Sequence, residues 1–123
     1  MQMNPINKET TGARSGSGMN AIHDQISFAV TTGRIEWQKH SLARMLERGL
    51  SREAVKQTLL RGSIIENYPD DKPLPSVLVF GLHQGQPIHV VCAFDKASGY
   101  CFVITAYTPD SDHFGPDFRQ RRT

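Results

Sequence analysis

The chain has 123 residues, 38% of them hydrophobic and 21% charged, with a formal net charge of +2. That length suits one domain with a core of its own and is too short for two ordinary ones. No apolar run approaches the roughly 18 residues of a membrane helix, and no charged-then-apolar leader precedes the body of the chain, so a cytoplasmic, non-membrane protein is expected.

In chain order, residues 1–18 read as a flexible tail, polar and ending in Ser15-Gly16-Ser17-Gly18. Asn20 is a plausible cap for a helix over Ala21–Thr32, with Ile22, Ile26, Ala29 and Val30 at helical spacing and Gly33 stopping it. Arg34–Trp37 alternates like a short strand. His40–Arg48 is a second helix whose apolar stripe is Leu42, Ala43, Met45 and Leu46, with His40, Arg44, Glu47 and Arg48 on the opposite face and Gly49 ending it. Ser51 caps a third helix through about Leu60, with Glu53 in its first turn, where a negative charge suits the helix dipole, and with Val55, Leu59 and Leu60 facing inward.

After Gly62 the period changes from helical to extended. Ser63–Tyr68, Val77–Leu82, Ile88–Phe94 and Tyr100–Tyr107 read as strands, separated by a proline-rich loop over residues 69–75 and by turns at Gln84-Gly85 and over residues 95–99. Short links between successive strands imply antiparallel neighbours. Helices collected ahead of strands predict an α+β fold, in which N-terminal helices pack on one face of an antiparallel sheet of about four strands. The other face is too apolar for bare solvent, so the first helix, the C-terminal tail or a partner is expected to cover it. The single domain spans 19–118, and 119–123 form a basic tail.

Charge is unevenly distributed. Residues 34–62 carry seven Lys or Arg against three acids, and residues 63–118 two Lys against seven acids. A basic side of this kind can attract phosphates, or its charges can simply pair and stay solvated. Cys92 and Cys101 lie within predicted strands and are expected as reduced packing residues; hairpin register decides whether they face each other. Neither a zinc-spaced Cys pair, nor a calcium loop, nor a glycine-rich phosphate loop is present. No metal and no cofactor is expected.

The most suggestive unit is the face His40-Arg44-Glu47-Arg48. An imidazole exchanges protons near neutral pH, and a guanidinium four residues on holds a phosphate through paired hydrogen bonds. Cleavage of RNA through its own 2′-hydroxyl needs those functions and no metal. The same four side chains also describe an ordinary solvated helix face with a Glu47–Arg44 or Glu47–Arg48 pair. Tyr107, at the end of the last strand, can orient or protonate a leaving group, or be an amphipathic residue at a sheet edge. His89 alternates with Ile88 and Val90, so it points to the opposite sheet face together with Val91 and Ala93, where a hydrogen-bonded structural role is the plainer one. Arg119, Arg121 and Arg122 can hold RNA phosphates or merely solubilise a tail.

The spaced set His40-x-x-x-Arg44-Met45-x-x-Arg48-Gly49-Leu50-Ser51, Gly62-x-Ile64-Ile65-Glu66-x-Tyr68-Pro69-Asp70-Asp71, Pro87-Ile88-His89-Val90-Val91 and Val103-Ile104-Thr105-x-Tyr107-x-Pro109-Asp110 resembles the bacterial domain-of-unknown-function family numbered four-two-five-eight. The resemblance covers roughly residues 35–122. That family looks distantly related to small toxins of the RelE and BrnT kind, whose folds also place helices before an antiparallel sheet. The resemblance implies a RelE-like fold, a type II toxin acting as a metal-independent endoribonuclease (an mRNA interferase), RNA as substrate, and a cognate antitoxin, a small zinc-ribbon protein, as partner. The positions matching the family pattern are His40, Arg44, Arg48, His89 and Tyr107, and no fixed catalytic set transfers. On this basis His40 is the candidate acid/base, Arg44 and Arg48 are phosphate clamps, Tyr107 is an auxiliary donor, and His89 and Glu47 are supporting residues. The competing expectation is a non-catalytic module whose α-helical face docks protein or nucleic acid. The added N-terminal region, residues 1–33, departs from the family pattern.

Overall fold

The computed structural model of the chain describes residues 14–121, with side chains from residue 21 onward. The elements are α1 (Arg14–Thr31), β1 (Ile35–Trp37), α2 (Lys39–Glu47), α3 (Arg52–Arg61), β2 (Ser63–Tyr68), β3 (Ser76–His83), β4 (Gln86–Asp95) and β5 (Tyr100–Tyr107). They form one sheet in the order β1-β5-β4-β3-β2. The α+β class stands, but the sheet has five strands, not four, and it is mixed: β1 runs parallel to β5, in the register Ile35↔Cys101 to Trp37↔Val103, while the other three pairings are antiparallel. The cause is local. Leaving α1, the chain passes the outer edge of β5, and the Cys101 N–H donates to the Arg34 carbonyl at 2.9 Å, which recruits the short alternating segment as an edge strand.

The first helix starts earlier than expected. Residues 14–18 are helical, so the expected tail is corrected there, and its part over 1–13 lies outside the described residues. Adding turns to an existing helix costs far less than nucleating one, so weak helix formers such as Gly16 and Gly18 can be carried along. Two helix ends use the same device. Gly33 and Gly49 have positive φ (80° and 71°), and the residue after each returns its N–H to the helix, Arg34 to the Ala29 carbonyl at 2.7 Å and Leu50 to the Met45 carbonyl at 2.9 Å. Such a turn satisfies the last carbonyls and needs a residue tolerant of the left-handed region. The Ser51 cap is present, its Oγ accepting from the Ala54 N–H at 3.0 Å.

All three helices pack on one face of the sheet. Ile26, Ala29 and Val30 of α1, Met45 of α2, and Ala54, Val55 and Leu59 of α3 meet Val77, Val79, Ile88, Val90, Cys92, Cys101, Val103 and Ala106. Alternation along the strands puts the latter set on one side, with an extra residue at Ile104 shifting the phase of β5 so that Ala106 joins Val103. Cys92 and Cys101 are free and fully buried there; the Cys101 thiol and burial together push the Cys92 thiol well above its ordinary range.

The opposite face carries Leu78, Phe80 and His89, all buried. Of the expected covers, α1 packs on the other face. The segment after β5 covers them, and it is called the strap here. From Asp110 it folds on itself through Gly115 N–H to the Gln120 carbonyl (2.8 Å) and Phe118 N–H to the Gly115 carbonyl (2.9 Å). It then lays Phe114 (2% exposed), Arg119 and Arg121 on the sheet. Two of the three arginines expected in a basic tail are thus packed against the sheet, because guanidinium planes stack on ring faces; Arg122 lies outside the described residues.

Candidate functional site

α2 is anchored along the edge of β5. β1 stops at Trp37, opposite Val103, which leaves the outward carbonyls of β5 beyond that point without strand partners, a costly condition where they are shielded from water. α2 supplies the missing donors. The buried Ser41 hydroxyl donates to the Ile104 carbonyl at 2.6 Å and lies 3.2 Å from the Val103 carbonyl. From the helix C-cap, Arg48 Nη1 donates to the Ala106 carbonyl at 2.8 Å and approaches Thr105 Oγ1 at 3.3 Å. An irregularity in the β4–β5 register, where Val91 pairs with Thr105 but Cys92 with Val103, places an extra residue, Ile104, at this point.

These polar contacts turn α2 by about 70° from the expected orientation. Ser41, Leu42 and Met45 face inward, whereas Leu46 is 82% exposed and Ala43 is exposed too. The expected apolar stripe is corrected accordingly. A serine was worth more at the interface than a leucine because it satisfies strand carbonyls that no hydrocarbon can.

The outer face of α2 carries His40, Arg44 and Glu47, all exposed. Among the described residues none of the three makes a side-chain hydrogen bond or ion pair; Arg48 reaches β5 instead of Glu47.

His89 and Tyr107 belong to a different environment. They are directly paired across β4 and β5, on the face under the strap. His89 is fully buried. Its Nε2 lies 2.7 Å from the Phe118 carbonyl and its Nδ1 3.3 Å from the Tyr107 hydroxyl. A carbonyl only accepts, so Nε2 carries the proton and Nδ1 accepts from Tyr107. Three rings enclose the imidazole edge-on, Phe114 at 4.4 Å, Tyr107 at 5.3 Å and Phe80 at 5.9 Å between centroids. Burial lowers the His89 pKa, against a smaller opposing effect of the Phe118 carbonyl, and raises that of Tyr107.

Beside this pair, Tyr68 donates to Glu66, and Arg121 Nε meets the same carboxylate at 2.9 Å. Arg121 also lies over the Phe114 ring at 5.0 Å. Burial, then the Glu66 carboxylate, raises the Tyr68 pKa. Glu66, Tyr68, Phe114 and Phe118 were not singled out in the sequence, whereas the strap arginines Arg119 and Arg121 were, as phosphate ligands. The signal for the first two was available: Glu66 and Tyr68 are two apart in a strand, so they share a face. Their side relative to His89 depends on the irregular step between Ile64 and Glu66 in the β2–β3 register, which alternation alone does not reveal.

The candidate residues therefore fall into two groups. His40, Arg44 and Glu47 lie open on α2, and His89 and Tyr107 lie beneath the strap. Arg48 connects them, bonded to the carbonyl of the residue before Tyr107. Among the described residues no three His, Cys, Asp or Glu side chains are grouped to hold a metal ion, and no helix is long and apolar enough to cross a membrane.

A family model described as Domain of unknown function (DUF4258) matches residues 37–108, from the end of β1 to just beyond β5. It agrees with the resemblance read from the spaced motif over a shorter span. α1 and the strap fall outside it. No curated protein and no solved structure matches the chain.

Proposed function

The chain belongs to the family described as Domain of unknown function (DUF4258), and within that family we propose that it is a toxin-like, metal-independent endoribonuclease of the RelE kind, silenced by a cognate antitoxin. The observation that carries the proposal is the state of α2. Ser41 and Arg48 fix its inner side to β5, while His40 and Arg44 remain exposed and uncommitted on its outer side. A rigidly mounted imidazole and guanidinium, without partners among the described residues, are what an RNA phosphodiester requires.

In this mechanism His40 removes the proton from a ribose 2′-hydroxyl. The oxygen attacks the adjacent phosphorus, forming a 2′,3′-cyclic phosphate and breaking the bond to the 5′-oxygen of the next nucleotide. Arg44, and the donors of Arg48 that are not spent on β5, stabilise the charge that builds on the phosphorane. The departing 5′-oxygen takes its proton from water, because the Tyr107 hydroxyl, expected as the auxiliary donor, is committed to His89 beneath the strap. Purified protein should yield cyclic-phosphate and 5′-hydroxyl ends from single-stranded RNA, with His40→Ala lowering the rate by about 10²-fold or more. Equal cleavage by both proteins, or cleavage by neither, would refute the mechanism.

One observation favours a second reading. His89 and Tyr107 spend their polar atoms on each other and on the strap, as in a non-catalytic module that uses the α2 face for docking. A stable partner recovered with the protein, together with no RNA cleavage once that partner is removed, would decide for it.

A further inference from the structure

A cleft of about 240 Å³ opens where the end of α3, the start of β2 and the strap meet over β3. Its lining includes Gln57, Arg61, Ser63, Phe80, Leu82 and Arg119. Among the described residues none of the lining side chains is acidic, so two cations share one concavity without a carboxylate beside them. Arg61 and Arg119 are both exposed, and neither forms an ion pair among the described residues.

The two arginines come from unrelated parts of the chain. Arg61 lies in the last turn of α3, where one cation offsets the negative end of the helix dipole. That end disfavours an anion, so Arg61 alone would be an ordinary terminal residue. The second guanidinium, brought by the strap, creates the surplus. Arg119 stacks on Phe80 with Cζ 4.7 Å from the ring centroid. Stacking fixes the plane of the guanidinium while consuming none of its N–H donors. Those donors remain available for a bidentate contact, the geometry in which arginine binds phosphate oxygens. Asp117, two residues before Arg119, accepts from the Arg119 backbone N–H at 3.1 Å. Beside the cations lies an apolar ledge: Leu82 is 65% exposed. Cations next to an apolar ledge suit a ligand that is anionic at one end and flat and apolar at the other.

We propose that the Arg61–Arg119 cleft is a phosphate-binding subsite for a nucleotide unit of single-stranded RNA, separate from the α2 face, with Arg61 and Arg119 on the phosphate and Leu82 against the sugar or base. The proposal rests on the reading of the chain as acting on RNA and adds a second point of contact for the same strand.

The test uses the full chain and a 2′-deoxy oligonucleotide, which cannot be cleaved through a 2′-hydroxyl, with inorganic phosphate and adenosine 5′-monophosphate as separate probes. Arg61→Gln and Arg119→Lys should each weaken oligonucleotide binding about tenfold. Arg61→Gln should also reduce the slope of log affinity against log salt by about 0.7, the single-strand value for one lost phosphate contact. Lys96→Gln, which removes a charge from the remote β4–β5 turn, should change neither. Mononucleotide binding that depends on both arginines identifies a nucleotide subsite. If inorganic phosphate binds as tightly as the mononucleotide, the assignment of Leu82 to sugar or base is overturned. Arg61→Gln and Arg119→Lys binding like the wild type, with folding verified by circular dichroism, overturns the subsite altogether. The two proposals separate cleanly: His40-dependent cleavage with an unchanged KM in both arginine variants removes the subsite and leaves the nuclease, whereas arginine-dependent binding without any cleavage does the reverse.

Discussion

Phe114→Ala tests the account of the strap. The ring is 2% exposed, meets His89 edge-on at 4.4 Å and supports the Arg121 guanidinium at 5.0 Å. Burying a phenylalanine side chain contributes about 1.5–3 kcal/mol. An edge-on ring pair contributes about 0.5–1.5 kcal/mol more, and an exposed cation over a ring about 0.5–1 kcal/mol. These agree with the roughly 3–5 kcal/mol usual for phenylalanine-to-alanine changes in cores. The lower end, about 3 kcal/mol, is expected here, because a segment at the edge of the fold can undock and cap the loss at its own docking energy. Urea unfolding followed by far-UV circular dichroism gives the stability, and limited proteolysis read by mass spectrometry locates the change. Cleavage should appear between residues 110 and 121 before it appears in the helices. A loss below about 1 kcal/mol with an unchanged proteolytic pattern would refute the claim that Phe114 seals the second sheet face.

The buried imidazole predicts a pH dependence. Burial lowers the folded-state pKa of His89 below the ordinary 6.5, so the unfolded chain binds the proton first. Its contribution is complete above about pH 6.5, diminishes as pH falls from there toward the folded value, and levels off below it. Tyr107, Tyr68, Glu66 and Arg121 surround the same site, and the His89→Gln comparison holds all four constant. Denaturant midpoints measured between pH 8 and 5 should fall with pH more steeply in the wild type than in His89→Gln; parallel curves would contradict the buried neutral tautomer. Ser41→Ala removes the donor to the Ile104 and Val103 carbonyls and should cost about 1–3 kcal/mol, measured by thermal or urea unfolding, whereas Leu46→Ala, at an 82% exposed position, should change stability by less than about 0.5 kcal/mol. Equal effects at the two positions would mean that α2 faces the other way.

Residues governed by local rules were legible in the sequence. The Ser51 cap, the glycine stops at Gly33 and Gly49 and the strands from Ser63 to Tyr107 follow from neighbouring residues, and the structure has them. The rotation of α2 was not legible, because Ser41 faces inward for the sake of carbonyls more than sixty residues later, left over by a strand that ends at Trp37. The fifth strand was visible as an alternating segment, but nothing local told its direction or its partner. His89 was placed on the correct side of the sheet by alternation alone. What lay above it required the fold of the strap, where Phe118 adopts a positive φ of 60° and offers His89 its carbonyl. That conformation is unusual for a bulky residue, and composition gives no hint of it.

The two sheet faces are also closed at different times. During synthesis α1 emerges before any strand, so the face lined by Val79, Val90 and Val103 has its cover waiting as the strands arrive. Leu78, Phe80 and His89 have none until Phe114 and Arg121 have followed β5 out. For that interval a nascent chain presents an apolar strand surface, the kind of surface on which aggregation begins and to which chaperones bind. Rare codons or a pause just after Tyr107 would lengthen that interval, and a stop at the same place would make it permanent.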